Sequence, residues 1–117
     1  MLRIVMKSKI HSATITDVEL EYEGSIAIDS GLLKEADIFP GEKVQIVNSN
    51  NGARFETYVI EGEAGTGIIS LRGAAARCAY IGDKVTIICY CLAETKEAAT
   101  LRKKIIIVDK NNKPVKK

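Results

Sequence analysis

The sequence has no tryptophan, one histidine, two prolines and three cysteines. A zinc site needs more ligands than one histidine and cysteines at this spacing supply, so we expect Cys78, Cys89 and Cys91 to be reduced structural thiols. The sequence also lacks a glycine-rich phosphate loop, a dinucleotide-binding fingerprint and a Gly-x-Ser-x-Gly nucleophile elbow. These absences argue against the common metal, nucleotide and serine hydrolase sites, and composition alone leaves the function open.

Charge of either sign is not in excess, because 17 Lys and Arg residues stand against 15 Asp and Glu residues. A net charge of +2 and an aromatic fraction of 5% favour neither nucleic acid nor an anionic membrane as a partner. The apolar run at the N-terminus is too short for a signal peptide or a membrane span, so we expect a cytoplasmic protein. The length suits one domain, predicted over residues 1–109, and the polar, lysine-rich residues 110–117 are expected to form a disordered tail.

Short segments of β type dominate the chain, and alternation of apolar and polar residues marks several of them. The predicted strands cover residues 2–7, 9–15, 25–29, 43–47, 54–60, 67–71, 84–91 and 104–109. Asn51-Gly52 between two such segments predicts a β-hairpin. Short helices are predicted at Gly31–Asp37, with Ser30 as the N-cap, at Ala74–Ala79 and at Ala93–Arg102.

An internal repeat gives the clearest indication of the fold. The run Gly41-Glu42-Lys43-Val44 returns as Gly82-Asp83-Lys84-Val85, and each run lies between a short predicted helix and a strand. Two copies are too few for a solenoid. A barrel with a pseudo-twofold axis explains them better, because closing the sheet removes the exposed edges of short strands. The predicted fold class is therefore mainly β, a barrel with short helices and an internal duplication.

Gly24-Ser25 joins a polar turn to a predicted strand. The hydroxyl of a serine directly after a glycine can reach the preceding carbonyl carbon, and glycine adds no side chain that would obstruct a strained peptide. An N-to-O acyl shift would give an ester, and elimination followed by hydrolysis would leave a pyruvoyl ketone on the new N-terminus. Because Gly-Ser is ordinary in turns, the dipeptide by itself does not establish this chemistry.

The dipeptide belongs to one of four motifs that occur in a specific order and spacing: Lys9-Ile10-His11, Tyr22-x-Gly24-Ser25, Asn51-Gly52-x-Arg54-Phe55-x-Thr57-Tyr58 and Gly73-Ala74-Ala75-Ala76. As a set they resemble the bacterial aspartate 1-decarboxylases, from about Leu2 to Cys91 and more weakly to Asp109. The resemblance implies a double-psi β-barrel with an internal duplication. It also implies decarboxylation of L-aspartate to β-alanine and carbon dioxide for pantothenate biosynthesis.

The resemblance further implies a covalent pyruvoyl cofactor, with neither a metal nor pyridoxal phosphate. Cleavage between Gly24 and Ser25 would give a β chain of residues 1–24 and an α chain of residues 25–117, and four of each would form a homotetramer. Ser25 would become the pyruvoyl group and form a Schiff base with the substrate amine. Tyr58 would donate a proton, since a tyrosine hydroxyl holds its proton at neutral pH.

The remaining roles also come from the resemblance. Lys9 and Arg54 would bind the substrate carboxylates, which a guanidinium can grip through two hydrogen bonds. Thr57 would contact the cleaved bond and face the substrate. The segment Gly73-Ala74-Ala75 would bind the substrate through backbone N–H groups and leave room for it. His11 and Tyr22 would line the same pocket and assist maturation.

Arg72 departs from the family pattern, which usually has Asn at this position. Because Asn tolerates the left-handed backbone region better than Arg, this predicts either altered turn geometry and processing or extra charge in the pocket. The sequence leaves that choice open, as it does the need for a helper protein in maturation. Two other functions also remain: a non-enzymatic barrel that acts as a binding module, and a pyruvoyl decarboxylase for glutamate, because one methylene changes binding by only about 1–3 kcal/mol.

Overall fold

The computed structural model describes residues 1–115, which contain eight strands, two α-helices and one 3₁₀ helix. The strands are β1 (Leu2–Thr14), β2 (Asp17–Glu19), β3 (Ser25–Asp29), β4 (Lys43–Asn48), β5 (Arg54–Gly62), β6 (Ile69–Arg72), β7 (Lys84–Glu94) and β8 (Lys104–Ile107). The helices are α1 (Ser30–Ala36), the 3₁₀ helix (Gly73–Cys78) and α2 (Thr95–Thr100). Every predicted segment lies in or beside one of these elements, although residues 2–7 and 9–15 were predicted as separate strands and form one.

The N-cap of α1 differs from the prediction, whereas the hairpin between β4 and β5 agrees with it. The N-cap of α1 is Asp29 rather than Ser30, because the Asp29 carboxylate accepts a hydrogen bond of 2.8 Å from the Gly31 N–H. The predicted hairpin is confirmed: β4 and β5 pair antiparallel around Asn51-Gly52, and Gly52 has a φ of +76°. A positive φ of this kind explains why glycine occupies the turn.

The strands form one sheet in the order β2-β6-β3-β5-β4-β7-β1-β8. The pairs β1–β8, β2–β6 and β3–β5 are parallel, and the others are antiparallel. A backbone hydrogen bond of 2.9 Å from Thr16 N to Ile69 O links the chain after β1 to β6, near the other end of this order. The sheet therefore curls around a core of aliphatic side chains, among them Ile10, Ile26, Ile46 and Ile87, all fully buried.

The two copies of the sequence repeat form equivalent turns. Gly41 N donates to Val59 O at 2.7 Å and Gly82 N donates to Ile15 O at 2.8 Å, with φ angles of +94° and +96°. In each turn the acidic side chain accepts a hydrogen bond from the backbone N–H three residues before it, at 2.7 Å for Glu42 and 2.9 Å for Asp83. The predicted duplication is thus visible in the hydrogen bonding of the turns.

The two acidic side chains take different partners at equivalent places. Glu42 forms a partly buried ion pair with Lys7, with Nζ–O distances of 2.7 and 3.0 Å, whereas Asp83 accepts a hydrogen bond of 2.9 Å from the Asn48 amide. Burial alone would raise the pKa of Glu42, but the hydrogen bond from Lys7 helps to outweigh this effect and holds the pKa below its usual range. Sequence patterns did not reveal this ion pair.

The expectation of a disordered tail is corrected for residues 110–115. Asn112 is buried: its side chain accepts a hydrogen bond from Thr14 N and donates to Thr14 O and Gly67 O, at 2.8, 2.9 and 2.7 Å. Val108 and Pro114 form a further bridge. One buried amide therefore anchors a segment whose other residues are exposed, and residues 116 and 117 of the predicted tail lie outside the described chain. Within residues 1–115, no helix is both long and apolar enough to cross a membrane.

Candidate active site

Ser25 is the first residue of β3, which lies between β5 and β6. Its side chain is buried, with 2% of the residue exposed, and its Oγ donates to Glu23 O over 3.4 Å. The hydroxyl therefore points back toward the backbone that precedes it. This direction suits a serine that attacks the carbonyl carbon of residue 24.

Gly73 holds the segment before Ser25 in place through backbone contact. Gly73 has a φ of +70°, and a Cβ atom there would lie 2.7 Å from Gly24 Cα, 2.8 Å from Gly24 N and 2.9 Å from Tyr22 O. Real Cβ atoms do not come this close to backbone, so only glycine fits. The structure thus shows a steric role for Gly73, in addition to the substrate contact that the sequence predicted.

A groove of about 420 Å³ opens beside this contact. Its lining consists of Gly24, Phe55, Glu56, Thr57, Tyr58, Ala74, Ala75 and Cys78. The parallel register pairs Ile26 with Val59, so Ser25, the first residue of β3, lies beside Tyr58 in the middle of β5. Tyr58 is 42% exposed, so its hydroxyl is accessible from the groove. The tertiary structure brings together five of the predicted residues here: Gly24, Thr57, Tyr58, Ala74 and Ala75.

Seven of the predicted residues do not line this groove, namely Lys9, His11, Tyr22, Ser25, Arg54, Arg72 and Gly73. Lys9 lies in β1, where it pairs with Ile88 of β7 and Ile105 of β8. His11, also in β1, is exposed, and its Nδ1 lies 3.3 Å from the Thr86 hydroxyl. Arg54 is exposed at the first position of β5.

The charge of the groove differs from that expected for an anionic substrate. As far as the chain is described, the charged side chain in the lining is Glu56, which pairs with Lys43 at 3.2 Å. The lining contributed by a single chain therefore contains no cation between residues 1 and 115. A carboxylate-binding cation has to come from side-chain movement or from another molecule.

Arg72 lies against the segment that precedes Ser25. Its guanidinium carbon is 4.8 Å from the centroid of the exposed Tyr22 ring, a cation–π contact. The backbone of Arg72 is extended, with φ −126° and ψ 147°, and the left-handed residue is Gly73. The expectation of altered turn geometry is therefore wrong, because position 72 does not require a left-handed conformation and Arg adopts the extended one without strain.

Sequence reasoning missed three of the lining residues, Phe55, Glu56 and Cys78. Phe55 and Glu56 belong to the same strand as Thr57 and Tyr58, and Cys78 ends the 3₁₀ helix that begins at Gly73. The sequence signal that could have identified these three residues was their closeness along the chain to predicted site residues. In the described chain no group of three His, Cys, Asp or Glu side chains could hold a metal. Burial raises the pKa of the Cys89 thiol to about 11.

Comparison with known proteins places this arrangement in context. A family model described as aspartate decarboxylase matches residues 1–115. Aspartate 1-decarboxylase of Thermoanaerobacter pseudethanolicus is 56% identical over 115 residues, which cover 98% of each chain. The enzyme of the same name from Caldicellulosiruptor saccharolyticus is 58% identical over 116 residues, 99% of this chain and 91% of that protein.

Among solved structures, the rationally designed mkDPBB_sym_86 protein, a double-psi β-barrel design, is similar with a TM-score of 0.50 and 16% identity. The match covers 66% of this chain and 90% of that one. At this identity the likeness concerns the fold alone. It confirms the predicted mainly β fold of the double-psi barrel type.

Proposed function

The chain belongs to the aspartate decarboxylase family, and we propose that it decarboxylates L-aspartate to β-alanine with a pyruvoyl group made from its own Ser25. β-Alanine production for pantothenate biosynthesis is the known role of this family. The observation that carries the proposal is the position of Ser25. Its buried hydroxyl points back along the chain, beside a glycine that lines the groove and is held by Gly73.

The residues around Ser25 fit a pyruvoyl group. When present, this group supplies a ketone that draws electrons from the substrate bond broken as carbon dioxide leaves. Ser25 begins β3, so cleavage before it leaves the new chain end in the sheet, beside Tyr58. Gly24 lines the groove, and its release from Ser25 therefore opens this chain end toward the space where a substrate would bind.

Tyr58 and Thr57 carry the chemistry of the groove wall in this proposal. The Tyr58 hydroxyl donates the proton that replaces the lost carboxylate, because Tyr58 lines the groove and is 42% exposed. Thr57 also lines the groove next to Gly24, which suits a hydroxyl that assists cleavage. Ala74 and Ala75 leave room for the substrate, and His11 and Tyr22 remain predicted supporting residues.

Assembly of four processed protomers is the second part of the proposal. Several apolar side chains are exposed, such as Ile4 at 75% and Leu92 at 64%, and they line a wide cavity of about 630 Å³. A patch of this kind favours an interface between protein chains. Because the groove of one chain lacks a cation, an assembly that brings Lys9 or Arg54 of a neighbouring copy to it would complete the carboxylate site. A cytoplasmic location stays a prediction.

The experiment is a time course of intact mass on the purified chain, paired with release of carbon dioxide from labelled aspartate and glutamate. Two fragments, residues 1–24 and 25–117, should form. The larger fragment should be lighter by one ammonia than the same residues with an unmodified serine at the N-terminus. Ser25→Ala should abolish both cleavage and turnover, whereas Tyr58→Phe should be cleaved and turn over slowly. Decarboxylation of aspartate by an intact, unmodified chain would contradict the proposal, and faster turnover of glutamate would change the substrate.

A further inference from the structure

Arg72 carries a positive charge that no partner in the described chain balances. Its Nε is buried and makes no hydrogen bond, and residues 1–115 offer it no ion pair. A guanidinium is charged at any physiological pH, and buried polar groups without a partner are rare in proteins. The guanidinium carbon lies 4.8 Å from the centroid of the Tyr22 ring, and a cation–π contact of this kind does not use up the N–H donors of the guanidinium.

The register of the sheet places Arg72 beside the bond that the proposed function cleaves. Arg72 is paired directly with Ser25 in the antiparallel ladder between β6 and β3. Side chains directly opposite one another in such a ladder project from the same face, with Cβ atoms roughly 5 Å apart. A Cβ on Gly24 would lie 4.0 Å from Arg72 O, so Gly24 also lies against this residue.

We propose that Arg72 binds the carboxylate that leaves with Gly24 during maturation, and thereby speeds the elimination that breaks the chain; this rests on the proposed function. The Ser25 hydroxyl first attacks the Gly24 carbonyl carbon, and the C–N bond breaks to give an ester and a free amine. The Ser25 Cα then loses a proton and the Oγ–Cβ bond breaks, so Gly24 departs as a carboxylate that contains the former Oγ. Water next converts the resulting dehydroalanine to the pyruvoyl ketone and releases ammonia.

The charge on the departing oxygen develops only in the elimination step. A cation that already lies on the same face as Ser25 stabilises this charge without having to move. The earlier acyl shift also develops negative charge, but this charge lies on the Gly24 carbonyl oxygen and is lost again when the neutral ester forms. Loss of Arg72 should therefore slow the second step more than the first, and the ester should accumulate.

At neutral pH and low temperature hydroxylamine cleaves an ester much faster than a peptide amide. The Asn51-Gly52 bond, which it can also cleave, gives fragments of different mass, so the fragments that end at residue 24 and begin at residue 25 measure this intermediate. We would follow the unmodified chain, Arg72→Gln, Arg72→Lys and the control Arg77→Gln, an exposed arginine of the same 3₁₀ helix that begins after Arg72. Each sample is divided before denaturation, and one half is treated with hydroxylamine. Intact masses then report the amounts of amide, ester and pyruvoyl chain over time.

We expect Arg72→Gln to form the pyruvoyl chain roughly tenfold more slowly, which is the factor for losing a charge-assisted hydrogen bond. Full-length chain that hydroxylamine splits should accumulate in this variant. Arg72→Lys keeps the charge and should retain most of the rate, and Arg77→Gln should match the unmodified chain. Maturation of Arg72→Gln at the unmodified rate, or slow maturation without trapped ester, would overturn the inference. Failure of the unmodified chain to form either ester or fragments would instead overturn the proposed function.

Misfolding is separated from lost charge by a second variant. Arg72→Ala removes the side chain, and a low, non-denaturing concentration of guanidinium ion can occupy the space above Tyr22. Faster ester breakdown with guanidinium than with the same concentration of sodium supports the role of the charge. No difference between the two ions, in a variant whose thermal unfolding matches that of the unmodified chain, would contradict it.

Discussion

Replacing Gly73 by alanine should destabilise the fold and slow maturation together. The left-handed conformation, here a φ of +70°, costs a residue with a side chain about 1–2 kcal/mol. The new Cβ would also lie 2.7 to 2.9 Å from backbone atoms of Gly24 and Tyr22, which cannot rotate away as a side chain would. Overlap in a packed region typically costs about 1–3 kcal/mol. The two effects together predict a loss of roughly 2–5 kcal/mol.

Gly65→Ala is the matched control, because Gly65 has a φ of +82° and nothing lies within 4 Å of the position that its Cβ would take. It should show the conformational cost without the overlap. At about 4 °C per kcal/mol for a domain near this size, Gly73→Ala should melt roughly 4–12 °C below Gly65→Ala. Both variants are compared in a Ser25→Ala background and at one protein concentration, so that cleavage and assembly do not alter the comparison.

Maturation supplies the second measurement. With Ser25 present, Gly73→Ala should form the fragment 25–117 much more slowly than Gly65→Ala, because the displaced backbone includes the bond to be cleaved. Equal melting temperatures for the two variants would refute the steric reasoning about Gly73. Equal melting but unequal cleavage would indicate that the added Cβ affects the geometry of the cleaved bond without destabilising the fold.

Two further predictions concern stability. Burial would raise the pKa of Glu42, but the hydrogen bond from Lys7 contributes to a net lowering of this pKa. The ionised carboxylate therefore stabilises the fold at pH values above its ordinary pKa of 4.5. This contribution disappears as the pH falls through the lower pKa of the folded state. In urea titrations Glu42→Gln should therefore be less stable at pH 7 and lose less stability on acidification than the unmodified chain or the exposed control Glu35→Gln; parallel pH profiles would contradict this. Asn112→Ala should lower the free energy of unfolding by about 1–3 kcal/mol by leaving buried backbone groups unpaired, whereas exposed Asn111→Ala should change it little; equal losses would refute the anchoring role.

Much of the fold follows from local patterns. Alternation identified the strands because the side-chain period of a strand is independent of its neighbours. The repeated Gly-acid-Lys-Val run identified the duplication because both copies form the same turn, with glycine at nearly the same positive φ. Residues 110–115 were predicted wrongly because the composition of the tail is mostly polar, and a single buried Asn112 outweighs composition by satisfying two distant backbone segments.

The sequence by itself determined the β-type fold and its duplication, since residue pattern and spacing are local properties of the chain, and its resemblance to a family supplied the candidate residues around Gly24 and Ser25. Only the tertiary structure decided which candidates meet. Thr57, Tyr58 and Ala74 share the groove with Gly24, whereas Lys9 in β1 does not. The physical reason is strand register, because the pairing of distant strands sets which side chains share a face and which backbones touch. The same register places Arg72 opposite Ser25, which no pattern along the chain could reveal.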